Sequence, residues 1–187
     1  MVRAPRFFVL GAGFSQPGGL PLGKDLFAQI VAETKRTVLY ENILKPDIEA
    51  FIRYLNETEG QTIREEEIDF EQFMSYLDIE HFLDLRGSDT WSSEGNRSQL
   101  VIRNFIALVL HKSQREMSES DLSLYRSFAE RLSPRDVIVT FNYDTVLERA
   151  LKDAQVPFRL FPQRYTNVSP GWGEVDTSTE EVILLKM

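Results

Sequence analysis

Four consecutive apolar residues, Phe7 to Leu10, lie between Pro5 and Gly11 and predict a short strand buried on both faces of a sheet. Beyond a glycine-rich turn, Leu22, Leu26, Ile30 and Val31 recur at helical spacing, with Pro21 at a position that a helix start accepts. The middle of the chain keeps that period. "PDIEAFIRYLNET", "IDFEQFMSYLDIEHFLDL" and "SQLVIRNFIALVLHKSQREM" each read as an amphipathic helix, the second opened by Asp69 as a cap. Between the last two, Arg86 to Ser98 is polar and rich in Gly and Ser, and is expected to form a mobile loop or lid.

The period changes again after a helix that closes before Pro134. The β-branched run Val137 to Phe141 predicts a second strand, "NYDTVLERALKDA" a further helix, and "EEVILLKM" a third strand. Strands separated by helices imply an α/β fold: a Rossmann-like parallel sheet with helices on both faces and an inserted helical layer. The 187 residues, 42% of them hydrophobic, suffice for one core, so a single domain over residues 1–187 is expected, with the helical insertion over 45–132.

Charge and composition narrow the function classes. A net charge of −8 argues against general nucleic-acid binding, which needs clustered Lys and Arg. The absence of cysteine excludes disulfides, Cys-ligated zinc and thiol chemistry, and fits a cytoplasmic protein; no metal is expected. No apolar run approaches membrane-spanning length, so no membrane association is expected.

The turn after the first strand, "GAGFSQPGGLPLGKD", invites a ligand. Gly11 and Gly13 let the backbone amides of Gly11 to Ser15 approach an anion, as a phosphate site requires; the alternative is a bare strand-to-helix connection. The dinucleotide fingerprint G-x-G-x-x-G is incomplete, because Gln16 stands at its third glycine. Gly18 to Lys24 satisfy G-x-x-x-x-G-K, but Asp25 replaces the Mg²⁺-binding Ser or Thr and would repel phosphate. At the second strand's carboxyl end, Asn142 and Asp144 stand where such sheets bind ligands and could hold a polar group and orient a water; alternatively they cap the following helix.

Taken together, "GAGFS" with "GLP" and the distant "TFNYDTVLE" resemble the sirtuin-like domain of bacterial antiphage effectors that hydrolyse NAD; "IDFEQFMSYLD" is similar more loosely. The resemblance implies NAD as substrate or ligand. Gly11 belongs to the cradle, Ala12, Gly13, Phe14 and Ser15 would line the pyrophosphate and ribose, and Leu20 and Pro21 would border the nicotinamide pocket. Asn142, Tyr143 and Asp144 would face the nicotinamide ribose and carboxamide, with Asn142 and Asp144 the catalytic candidates.

Departures from the family pattern shape the expectation further. Deacylating sirtuins carry a four-cysteine zinc module and a glutamine where this chain has Phe141, so plain NAD hydrolysis is expected rather than acyl transfer. The family's histidine follows the Asn-Tyr-Asp turn by one strand, whereas His81 and His111 precede it, on predicted helices. "EEVILLKM" resembles the strand that delivers this histidine, cut at its carboxyl end. The expectation is therefore an NAD hydrolase in its complete form, or a catalytically silent module that binds NAD or ADP-ribose, with a homo-oligomer or companion domain as partner.

Overall fold

The computed structural model describes residues 4–85, 95–176 and 180–187. They form two compact units. One comprises the chain up to Leu20 together with Gln114–Met187, and the other Pro21–Ser113.

The first unit carries the main sheet. Strands β1 (Phe7–Leu10), β2 (Val137–Thr140), β3 (Phe158–Arg159) and β6 (Val182–Lys186) run parallel in the order β1-β2-β6-β3. Helices α5 (Glu119–Ala129) and α6 (Val146–Asp153) belong to the same unit and pack on each other. The fold is α/β and Rossmann-like. The predicted strands at Phe7, Val137 and in "EEVILLKM" all form.

The register aligns Phe8 with Ile138 and Ile138 with Leu184, and the last two are fully buried. Phe8 meets Phe128 of α5 edge-on at 5.6 Å, so α5 lies on this face. The strand β1 is not buried on both faces, as its sequence suggested: Phe7 and Val9 are 74% and 73% exposed. It is an edge strand, and alternation along it sends every second side chain away from α5. A further hairpin, β4 (Arg164–Ser169) with β5 (Trp172–Asp176), precedes β6.

The second unit is helical: α1 (Gly23–Thr34), a π turn (Tyr40–Leu44), α2 (Lys45–Glu59), α3 (Phe70–Phe82) and the body of α4 (Arg97–Glu116). Their apolar stripes meet in an aromatic core. Phe73 of α3 lies 5.3 Å from Phe27 of α1 and 5.2 Å from Phe51 of α2, and all three are buried. Asp69 caps α3 as expected, accepting from the Gln72 amide at 2.8 Å.

Of the expected loop Arg86 to Ser98, residues 86–94 lie outside the described residues. Its far end is ordered. The Asn96 amide donates to Gln99 Oε1 (2.7 Å) and the Gln99 amide to Asn96 Oδ1 (2.9 Å), a reciprocal cap that starts α4 at Arg97 and buries Asn96 and Ser98. Gly95 and Asn96 carry no regular structure, as a loop end would, and only Arg97 and Ser98 of the expected loop belong to α4. Among the described residues no helix is long and apolar enough to cross a membrane.

At the amino ends of β1 and β2 a part-buried ion pair ties the strands together. Asp136 is fully buried and accepts from the Arg6 amide (3.0 Å), Arg6 Nη2 (2.5 Å) and the Ser133 amide (2.7 Å). Burial alone would raise its pKa, but these hydrogen bonds together hold it at about 2. A depressed carboxyl stabilises the fold above its unfolded pKa, near 4, and loses that contribution as pH falls through 2. The expected loss over this window is about 2 kcal/mol. Urea unfolding at pH 5, 4, 3 and 2 checks it: Asp136→Asn should flatten this part of the profile, and identical pH dependence in both proteins would dismiss the assignment.

Candidate functional site

The glycine turn leaves β1 as two 3-10 segments, Ala12–Phe14 and Gln16–Gly18. Its internal hydrogen bonds run from the Phe14 amide to Gly11 O (2.9 Å) and from the Ser15 amide to Ala12 O (3.1 Å). A 3-10 start leaves its first amides, here Ala12 and Gly13, without a partner inside the turn. Gly11, Ala12 and Gly13 are exposed, and a Cβ placed on Gly11 or Gly13 would meet nothing within 4 Å. The turn is thus open to an approaching group on the side its glycines face.

Its other side is anchored. Phe14 packs edge-on against Tyr125 and Phe128 of α5, at 5.3 Å from each ring. The Gly18 amide donates to the Tyr125 hydroxyl at 2.9 Å. Burial raises the Tyr125 pKa; the Gly18 contact opposes this, while the charges of Asp144 and Asp121 add to it, so the phenol keeps its proton at neutral pH. Tyr125 and Phe128 escaped the sequence reading. Their three-residue spacing on a helical face was the available signal.

This contact requires Gly18 to carry no side chain. A Cβ there would stand 2.5 Å from Met117 Cε and 3.1 Å from the Tyr125 ring and hydroxyl. The methionine end can swing aside, but the ring is held by Phe14. Gly18→Ala is expected to cost about 1–2 kcal/mol by this overpacking, and Gly11→Ala, facing open space, less than about 0.5 kcal/mol. Chemical denaturation of the two variants checks the contrast; equal losses would refute it.

The structure brings the two sequence motifs together. Ser15, 1% exposed, accepts a hydrogen bond from Asn142 Nδ2 at 3.2 Å, across 127 residues of chain. Asn142 is itself buried, and its amide donates to Thr140 Oγ1 at the end of β2. Asp144 behaves differently. Its Oδ1 accepts from the Val146 amide at 3.0 Å, so the carboxylate satisfies the first amide of α6 from the residue ahead of the N-cap, Thr145, while Asn142 turns instead to the glycine turn. Lys186, at the carboxyl end of β6, donates to Asp144 O and to Glu148 Oε1 (2.7 Å), fixing the start of α6 to the sheet. Sequence reasoning did not find Lys186.

The remaining candidates are more scattered. Tyr143 is 71% exposed, Leu20 is buried, and Pro21 is half-buried at the first position of the helical unit. His81 lies on α3 and His111 on α4, both in the helical unit, and the sheet-bearing unit contains no histidine. Among the described residues no group of three His, Asp or Glu is placed to hold a metal. Compared with known proteins, the chain matches no family model and no curated sequence.

The chemistry open to this arrangement follows from its parts. At the carboxyl ends of adjacent parallel strands stand an open glycine turn, a buried hydroxyl, a buried amide and a carboxylate with one oxygen committed to the backbone. Such groups can exchange hydrogen bonds with a polar, anionic ligand. They contain no strong nucleophile or base.

Proposed function

We propose that the chain is a sirtuin-like domain that binds NAD and hydrolyses it to nicotinamide and ADP-ribose as an antiphage effector. The observation that supports this best is the Ser15–Asn142 hydrogen bond, which joins the glycine turn to the Asn-Tyr-Asp loop at the end of β2. The pyrophosphate would lie over the exposed backbone of Gly11, Ala12 and Gly13, with Phe14 holding the turn from behind and Ser15 beside the ribose. Leu20 and Pro21 would border the nicotinamide. Asn142, with its amide nitrogen directed to Ser15, keeps its carbonyl oxygen as an acceptor for a water or a ribose hydroxyl.

Hydrolysis then asks little covalent chemistry of the protein. The glycosidic bond breaks with its electron pair leaving on nicotinamide, the ribose carbon acquires oxocarbenium character, and the water held at Asn142 adds to it and releases a proton. Asp144 would stabilise the developing positive charge through the carboxylate oxygen not used by Val146. Tyr143, exposed beside it, would face the carboxamide.

A second reading is a silent module that binds NAD or ADP-ribose without turnover, within a homo-oligomer or beside a companion domain. The observation that favours it is the absence of a histidine from the sheet-bearing unit. Calorimetric titration with NAD and with ADP-ribose tests what the two readings share. Hydrolysis of a fluorogenic NAD analogue separates them. No heat with either nucleotide would end both.

A further inference from the structure

The face of the main sheet turned away from α5 is apolar along its length. While Phe8, Ile138 and Leu184 share the face on which α5 packs through Phe128, the register sets Phe7, Val137 and Ile183 in one row of the opposite face and Val9, Val139 and Leu185 in the next. None of the six is polar. Val137, Val139, Ile183 and Leu185 are half-buried, whereas Phe7 and Val9, on the edge strand, open to solvent. Parallel sheets are ordinarily covered on both faces, so the β1 end of this one lacks a cover.

The other end of the same face adjoins the hairpin. Ile183 lines a cavity of about 230 Å³ together with Val175 and Asp176 of β5. From there the hairpin presents an apolar side of its own. Tyr165 stands opposite Val175, and a Cβ on Gly173 would lie 3.2 Å from Tyr165 Cδ1 and 3.8 Å from Val168 Cγ2, so the three side chains share that side. Tyr165, Val168 and Val175 are 54%, 72% and 40% exposed. A two-stranded ribbon is at best marginally stable in water and gains from a surface to pack on.

We propose that this surface pairs with a second copy of the chain: in a symmetric dimer, the side of each hairpin formed by Tyr165, Val168 and Val175 covers Phe7 and Val9 of the other copy. One surface carries an apolar arm at one end and an uncovered apolar strand at the other. A single two-fold axis satisfies both ends at once and closes the assembly at two chains. Charge argues for the same occupant. Beside the hairpin, Arg135 pairs with Glu180 at 2.5 Å and Arg164 with Glu181 at 2.6 Å, so these arginines are neutralised in place and offer little to a nucleic acid or an anionic membrane, which the net charge of −8 repels. This inference stands apart from the proposed NAD site and uses none of its residues.

Sedimentation equilibrium of the full chain tests it. A single monomer–dimer equilibrium is expected, with a Kd of about 10 μM or tighter. Val9→Lys and Tyr165→Glu should each weaken it at least about 100-fold, since each puts a charge into both apolar contacts. Thr166→Lys, on the other side of the hairpin and opposite Glu174, should leave Kd within about twofold. An equimolar mixture of the Val9→Lys and Tyr165→Glu proteins tests the reciprocity. The mixed dimer keeps one contact intact and sets lysine against glutamate in the other, so it should form at least about tenfold more tightly than either variant with itself. Circular dichroism and thermal melting establish that each variant is folded. A monomer at that concentration, assembly beyond the dimer, a Kd unmoved by Val9→Lys or Tyr165→Glu, Thr166→Lys as damaging as Tyr165→Glu, or a mixture no tighter than its components would each overturn the proposal.

Discussion

Gly13→Val is expected to weaken NAD binding by at least about 100-fold, corresponding to about 2.7 kcal/mol, while the protein stays folded. Gly13 is exposed within the first 3-10 segment, and its Cβ direction meets nothing within 4 Å, so the protein itself has room for a valine. The cost to the fold is confined to the lower propensity of a β-branched residue in a helical turn, a few tenths of a kcal/mol. A pyrophosphate lying over the same backbone has no such room, since the branched side chain occupies the approach to the Ala12 and Gly13 amides. Calorimetry gives the affinity, and thermal melting gives the control. Unchanged affinity in a folded Gly13→Val protein would remove the phosphate cradle from this turn. Gly18→Ala serves as the opposite case, because there the added atom meets the protein and stability should fall instead.

How far the sequence could be read depended on the range of the interactions. Apolar periodicity marked β1, β2, β6 and α1 to α6, because each of those elements buries a stripe or a run that its own residues spell out. The hairpin β4–β5 was not recognised, since all six residues of Arg164–Ser169 are exposed and no buried face imposes alternation on them; Pro170 and Gly171 were the available turn signal. The two-residue strand β3 exists only through its pairing with β6 and leaves no pattern of its own. Asn142 and Asp144 were visible as a pair, but either could have capped α6. What distinguishes them is a contact of Asn142 with Ser15, 127 residues away. The same holds for Tyr125, which reaches Gly18 across 107 residues, and for Arg6, which reaches Asp136 across 130. Partners that far apart share no local period, so only the folded sheet reveals them.

Asn142→Ala should separate binding from chemistry. The substitution is expected to lower kcat for NAD hydrolysis by about 100- to 1,000-fold, as loss of a positioned polar group at a developing charge commonly does. NAD affinity should fall less than about tenfold, because the glycine turn remains intact and one uncharged hydrogen bond is a small part of nucleotide binding. The buried position of Asn142 makes a structural control necessary: its removal leaves the Ser15 hydroxyl without the 3.2 Å partner. Ser15→Ala provides that control, since it breaks the same hydrogen bond and leaves the Asn142 side chain in place. If Asn142 places a water, Ser15→Ala should retain most of the turnover that Asn142→Ala loses, and the two proteins should melt at similar temperatures. If both variants lose kcat equally, the Ser15–Asn142 contact acts by holding the two loops in register, and neither side chain touches the reacting atoms. If Asn142→Ala loses affinity and rate by the same factor, Asn142 is a ground-state contact to the ribose, and the water must be held elsewhere.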